Sequence, residues 1–482
     1  MSSDPEHGEH AAPGIAPRRL HPAGIAVLGL GALRGLALPL AVAFAGAVLG
    51  GGGGEPLTRV LAFGVIGALL AAAAGVAGWM TTRWSVGEGT IRLRTGVLSR
   101  KETDIPLARV QSIDIVHGPL QRVFGVRGLH VQTAGGGRDA DITLPAVSPA
   151  DVELVAAALR RSAPAAVAPR PVAERRLGRR RLLVAALTAG QVGVMLPLLA
   201  AVPQIADELW SDDIQDAGRD GLGLGLVPES AQQWILAVAG LLALAWLLST
   251  AGAVVAFAGF TIARDGDRLR VRRGLLAQRE ATVPVARVQA VRVVEGTLRQ
   301  PFGLATVHAE VAGYAHEPAA ARTLFPLLRR AEVKPFLDAL LPELADRIGD
   351  LDGAPRRALR RYVVPPAAAW LALGAAACAA FPESAPWPLL AALPAAALGA
   401  ARWRAAGWRI EDRRLALRFR RLARITVLAP AARLQQHALR QTVLQRRGRL
   451  ADVLVRVGAG TRAHVRHLDA RVAARLFDQL RR

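Results

Sequence analysis

Apolar runs of bilayer length narrow most sharply what this chain can become. Leu182–Val202 and Trp234–Phe260 contain no charged residue, and about 20 consecutive apolar residues span a bilayer as a helix. Ile25–Gly50 is apolar except for Arg34, and Leu57–Trp79 follows after the tight Gly51–Gly54 turn. Val363–Phe381 is free of charge and rich in alanine, while Ala385–Ala401 is shorter and punctuated by prolines. Six transmembrane helices in three pairs are expected.

The rest of the chain is unlike the spans. Its 482 residues carry 61 basic and 38 acidic side chains, a net charge of +23, although 52% of the whole is apolar. A soluble nucleic-acid binder is seldom so apolar, and a simple transporter seldom carries so much charge, so apolar spans must alternate with basic modules. Only Lys101 and Lys334 are lysine. With so much alanine this points to a GC-rich coding bias, so arginine over lysine says little about mechanism. The single cysteine, Cys378, excludes an intramolecular disulfide, a cysteine-based zinc site and an iron–sulfur cluster.

Each pair of spans is followed by a basic stretch, and the stretches are copies of one another. Ile105–Gly135 aligns without a gap on Val283–Gly313, keeping Pro106/Pro284, Arg109/Arg287, Gln111/Gln289, Gly118/Gly296, Phe124/Phe302, Gly125/Gly303 and His130/His308. A degenerate third copy from Ala429 keeps Pro430, Arg433, Gln435 and Leu444, but has Gly448-Arg449 in place of Phe-Gly. A fixed repeat of this kind marks one supersecondary unit used three times. The segments are a disordered tail (1–22), a first span pair (23–82), module one (83–163), a basic linker (164–181) and a second span pair (182–259) with an acidic external loop (203–233). Module two (260–345), a basic linker (346–362), a third span pair (363–402) and module three (403–482) follow. The first apolar run is too long for the core of a cleavable signal peptide.

Within a module, Thr90–Thr95, Arg268–Arg273 and Arg413–Arg418 alternate between apolar and basic residues. A period of two means a strand with one apolar and one basic face. The basic faces carry Arg92 and Arg94; Arg268, Arg270 and Arg272; Arg414 and Arg418, and these are the expected lipid- or partner-binding residues. Short β-like runs follow, and amphipathic helices end each copy at Pro149–Arg161, Glu332–Leu341 and Asp469–Leu480. Many short strands closed by one helix imply a small β-barrel or bent sandwich, with Phe124 and Phe302 in its core.

The I-P-x-x-R-V-Q element followed by G-x-L-x-R-x-F-G is carried by Ile105, Pro106, Arg109, Val110, Gln111, Gly118, Leu120, Arg122, Phe124 and Gly125. Its second copy is Val283, Pro284, Arg287, Val288, Gln289, Gly296, Leu298, Phe302 and Gly303. With the paired spans it resembles bacterial multi-pass membrane proteins with pleckstrin-homology-like (PH-like) domains, of the YdbT-like type and related to YdbS-like proteins. The resemblance implies an α+β membrane protein in which each span pair precedes a PH-like domain of seven strands and a C-terminal helix. It implies little about activity.

Arginines cluster before the odd-numbered spans and after the sixth, whereas residues 203–233 hold seven carboxylates against Arg219. Cytoplasmic loops are the cation-rich ones, so both termini and all three modules are expected on the cytoplasmic side of the inner cell membrane. No catalytic, nucleotide or zincin motif occurs. His464 and His467 lack a nearby carboxylate or cysteine set for a metal, and no catalytic, cofactor or metal residue is expected. Arg109, Arg287 and Arg433 are read either as anion or domain contacts or as members of a recurring structural turn. The functional expectation is a non-enzymatic membrane scaffold, its partners the bilayer, anionic lipid head groups, a membrane protein or further copies of itself. No nucleic acid is expected, since no aromatic stacking platform accompanies the charge. The alternative is a component that exports toxic compounds or peptides, though the spans hold no acidic residue.

Overall fold

The computed structural model describes residues 17–33, 35, 56–87, 89–96, 100–133, 142–162, 173–188, 231–311, 323–345, 351–380, 387–457 and 461–481. Among them three helices are long and apolar enough to cross a membrane: Ala62–Thr81, Val238–Phe257 and Arg356–Ala380. Six spans are therefore not shown. The first is described as helix α1 only over Gly24–Leu33, and Arg34 and most of the third span and external loop lie outside the described residues. The sixth is interrupted. Pro394 has no N–H, and its ring opposes the carbonyl of the residue four before it, so the helix breaks at Ala391.

In chain order, repeat one comprises β1 (Arg18–Arg19), α1, α2 (Pro56–Thr81), β2 (Arg83–Gly87), β3 (Thr90–Thr95), β4 (Lys101–Pro106), β5 (Val110–His117), α3 (Pro119–Val123), β6 (Arg127–Thr133), β7 (Ile142–Val147) and α4 (Pro149–Ser162). Repeat two comprises β8 (Ala173–Arg176), α5 (Arg179–Leu187), α6 (Ala231–Phe257), β9 (Thr261–Asp265), β10 (Arg268–Arg273), β11 (Gln278–Pro284), β12 (Val288–Glu295), β13 (Leu304–Val311), β14 (Thr323–Arg329) and α7 (Arg330–Leu340). Repeat three comprises β15 (Asp352–Gly353), α8 (Leu359–Ala380), α9 (Trp387–Leu390), α10 (Ala392–Ala405), β16 (Gly407–Glu411), β17 (Arg414–Arg420), β18 (Arg424–Pro430), β19 (Leu434–Arg440), α11 (Val443–Arg447), β20 (Leu450–Val457), β21 (Arg462–Asp469) and α12 (Ala470–Arg481).

The short strands β1, β8 and β15 correct the reading of a disordered tail and two linkers. Each precedes one of the helices long enough to cross a membrane and takes the edge of a sheet. Arg18 and Arg19 pair with Trp84 and Arg83, and Leu20 behind them is buried. The membrane helices of repeats one and three are thus inserted between the first and second strands of a domain. Residues 1–16 lie outside the described residues.

Among the described residues the strands form four sheets, ordered β1-β2-β3-β4, β7-β6-β5-β11-β10-β9-β8, β14-β13-β12-β18-β17-β16-β15 and β19-β20-β21. The sheets do not respect the repeats: the second half of one repeat continues into the first half of the next. Two compact units result. One takes in the described residues up to Arg175 together with 261–287; the other takes in those of 176–260, 288–311 and from 323 onward.

In the first unit, Trp84, Ile91 and Ile105 from β2–β4 pack with Leu129, Ile142 and Leu144 from β6–β7 and with Val152 and Val155 of α4. The two half-sheets of repeat one therefore share a core closed by its C-terminal helix, as the alternation and the final amphipathic run predict. In the second unit, Leu415, Leu417 and Val427 pack with Val453, Val465, Ala473 and Leu476 in the same arrangement, and Ala290 of β12 joins that cluster. Small residues let the hairpin helices approach. A Cβ at Gly75 of α2 would strike the Ile25 carbonyl, and one at Gly399 of α10 would strike that of Tyr362 in α8.

Candidate functional site

The repeat motif builds the corner where one half-sheet turns into the other. Pro106, Pro284 and Pro430 end β4, β11 and β18, and a short 3-10 turn follows each, closed by Arg109, Arg287 and Arg433. Arg109 and Arg433 are exposed and Arg287 is half-buried; Gln111 lies in β5, Gln289 is half-buried in β12, and Gln435 is exposed in β19. Gly118 and Gly296 open the next turn, where their carbonyls accept from Arg122 and from Arg299 and Gln300. Gly125 and Gly303 close it in the left-handed region, at φ +65° and +60°. Phe124 and Phe302 correct the expectation of a core aromatic: they are 47% and 71% exposed, because this turn projects from the end of the sheet. His130 and His308 each pair with a threonine across the strands, Thr143 at 3.1 Å and Thr323 at 3.3 Å.

One position in this turn was not singled out by the sequence. Gln121, Arg299 and Gln445 occupy equivalent places and are all buried. Gln121 accepts from the Gly118 N–H and donates to the Pro145 carbonyl at 2.9 Å. Gln445 accepts from the Thr442 N–H at 2.8 Å and contacts His467 Nδ1 at 2.9 Å. Arg299 instead reaches helix α5, donating to the Ala185 carbonyl at 2.8 Å and Thr188 Oγ1 at 3.0 Å. Burial holds its guanidinium down at about 10, since a charged form loses its hydration. A glutamine and an arginine look unrelated in sequence, so only the shared place in the turn reveals them.

The basic strand faces are exposed in repeats one and two but not free of counter-charge. Arg92 Nε lies 2.8 Å from Asp104, and Arg94 Nε lies 2.9 Å from Glu102. Arg270 lies 3.6 Å from Glu280 and 3.7 Å from Asp265, and Arg272 donates to Gln278 at 3.4 Å. Arg268 is exposed. In repeat three Arg414 and Arg418 are half-buried. Arg418 donates to the carbonyl of Ala405, the last residue of α10, at 3.0 Å, a favourable place for a cation at a helix C-terminus.

A second cluster of arginines lies in repeat three, with Asp452 3.7 Å behind His467. A cavity of about 480 Å³ opens between the start of α8, the end of α10, the end of β17, α11 and β21. Five arginines line it, Arg361, Arg402, Arg420, Arg421 and Arg466, and no carboxylate does among the described residues. Its geometry is held by neutral carbonyls. Arg361 donates to Leu444 O at 2.9 Å, Arg402 to Arg421 O at 3.5 Å, and the Tyr362 hydroxyl to Arg466 O at 2.6 Å. Such bonds position a cation without neutralising it. Arg420 Nε is buried with no hydrogen-bond partner among the described residues, and burial together with nearby Arg424 lowers its proton affinity. Repeats one and two have Gly96 and Gly274 where Arg420 stands, so this group is peculiar to repeat three.

Two imidazoles complete the wall. His464 lies 4.8 Å from the Phe419 ring, and His467 meets Tyr362 edge-on at 5.0 Å. Both are held below the ordinary imidazole value by burial, then by Arg466 and Arg421 for His464; for His467 the attraction of Asp452 opposes the repulsion of Arg466 and Arg361. The arrangement suits an anion that several guanidinium groups can grip through paired N–H donors. It sits where α8, an apolar helix of membrane-spanning length, begins.

Residues 27–163, 219–344 and 363–482 each match the bacterial PH domain family. The chain is also 27% identical over 427 residues to the UPF0699 transmembrane protein YdbT of Bacillus subtilis (strain 168), covering 83% of this chain and 84% of that one. No solved structure matches the chain. Three matched segments, each spanning a half-sheet pair and its closing helix, together with helices long enough to cross a bilayer, place this chain in the bacterial PH domain family as a YdbT-like transmembrane protein.

Proposed function

We propose that the chain is a non-enzymatic membrane scaffold that presents three PH-like modules at the inner face of the cell membrane, and that repeat three grips an anionic lipid head group in its arginine-lined cavity. The observation that carries this reading is a set of five arginines around one cavity with no carboxylate in its lining among the described residues. Each cation held at an anionic leaflet contributes about 1 kcal/mol, so this cluster outweighs the strand faces, whose arginines lie beside Asp104, Glu102 and Glu280. The position of Arg361 and Tyr362 in the first turns of α8 supports a ligand that reaches the cavity from the bilayer surface.

The test uses the full chain reconstituted in vesicles of phosphatidylcholine doped with phosphatidylglycerol, with retained lipid identified by native mass spectrometry. Phosphatidylglycerol should be retained preferentially, and Arg420→Ser with Arg466→Ser should weaken retention by about 1 kcal/mol per arginine. Free inorganic phosphate competing as well as the lipid would reassign the cavity to a soluble anion. Retention that ignores the substitutions would remove the cavity from the reading.

A further inference from the structure

The chain joins its repeats through strands. β11 of repeat two pairs antiparallel with β5 of repeat one, and β18 of repeat three pairs with β12 of repeat two. The two junctions have one register. Gln278 faces His117 and Ala281 faces Asp114 in the first; Arg424 faces Glu295 and Val427 faces Arg292, at the equivalent repeat positions, in the second. The counterparts of these strands at the two ends of the series are β4 and β19. Among the described residues each ends its sheet. The side chains report the same thing: Val293 of β12 is 3% exposed, whereas Leu439, its equivalent in β19, is 41% exposed.

We infer that β4 of one copy pairs with β19 of a second copy, continuing between chains the junction that joins repeats within a chain. The shared register sets Arg100 opposite Gln441, Lys101 opposite Arg440, Glu102 opposite Leu439, Thr103 opposite Ala438 and Asp104 opposite His437. This adds backbone hydrogen bonds along two sheet edges and covers Leu439. Asp104 and His437 are complementary; Lys101 and Arg440 oppose each other and limit the strength of the contact. The contact is head to tail, so it generates a ring or a filament of chains rather than a two-fold dimer.

The test is disulfide trapping in membranes with the native thiol removed by Cys378→Ser. Chains bearing Thr103→Cys and chains bearing Ala438→Cys, carrying different tags, are expressed together and separately. A mixed-tag dimer should form on oxidation, and neither chain alone should form one. Ala281→Cys with Asp114→Cys in one chain, the equivalent internal pair, should close in the same membranes. Adding Arg440→Glu should tighten the intermolecular contact roughly threefold, as opposite charges replace like ones across the strands. The inference is overturned if the mixture gives no dimer while the internal pair closes, if the internal pair itself fails to close, or if either single variant dimerises alone. It is also overturned if a chain carrying both Thr103→Cys and Ala438→Cys closes only on itself.

Discussion

Arg449 occupies the place of Gly125 and Gly303 and shares their left-handed backbone, with φ at +49°. A Cβ in that region costs roughly 1–2 kcal/mol, while glycine gives some of this back through its freer unfolded chain. Arg449→Gly should therefore stabilise the protein by about 0.5–1 kcal/mol in a denaturant titration of the detergent-solubilised chain. The aromatic residues divide in a way that their place in the motif does not suggest. Phe302→Ala should cost well under 1 kcal/mol, whereas Phe336→Ala in α7, which is fully buried against Phe325, should cost about 3–5 kcal/mol. The motif named the phenylalanines but not their direction, because their exposure follows from a turn that stands clear of the sheet. The two cavity histidines carry a pH dependence. Their folded proton affinity is lowered, so the unfolded chain binds more protons once the pH falls below about 6.5. A bound anion favours the imidazolium, so binding takes up protons and phosphatidylglycerol should be held more tightly at pH 6 than at pH 7.5, within limits set by Asp452, Arg361, Arg421 and Arg466. Calorimetry in two buffers of different ionisation heat would show the proton uptake; release instead of uptake would remove the histidines from the site.

At the scale of elements, the junction between repeats two and three rests on Glu295. It is 3% exposed and takes both a 2.8 Å bond from Arg424 Nε and a second contact from Arg424 Nη2. Removing one partner of a buried pair costs about 3–5 kcal/mol, because the other is left uncompensated. Arg424→Ala should accordingly expose the β12–β18 edge to limited proteolysis before the rest of the second unit, while joint replacement of both residues by leucine should restore much of the protection. The alternation of Thr90–Thr95 and Arg268–Arg273 was enough to predict β3 and β10, with arginines outward. It also predicted β17 as a strand, but not its exposure: Arg418 is half-buried against the end of α10, and Ala416 on the same face is buried. The hairpin helices show a similar division: length and hydropathy predict a helix, but the break at Ala391 depends on where Pro394 falls in the turn.

For the whole molecule, the arginine bias around the spans predicts both termini on the cytoplasmic side. A periplasmic-type reporter fused after Arg482 should be silent and a cytoplasmic one active, with residues 203–233 open to protease from outside; the reverse pattern would invert the topology. Sequence by itself determined the apolar helices, the threefold repeat, the corner motif and the closing helices. Each is encoded in a short window, through span length, periodicity or turn chemistry, and survives whatever it packs against. Tertiary structure decided the rest. β1, β8 and β15 are strands only because a sheet edge waits beyond the inserted helices; a two-residue strand such as Arg18–Arg19 has no periodicity of its own. The passage of sheets from one repeat into the next depends on register between strands more than a hundred residues apart, as for Glu295 and Arg424. The arginine cavity likewise gathers Arg361, Arg402, Arg420 and Arg466 from four separate elements. In sequence these were topology markers and ordinary surface charge; only their convergence, with carbonyls positioning Arg361 and Arg402, surrounds one cavity with them.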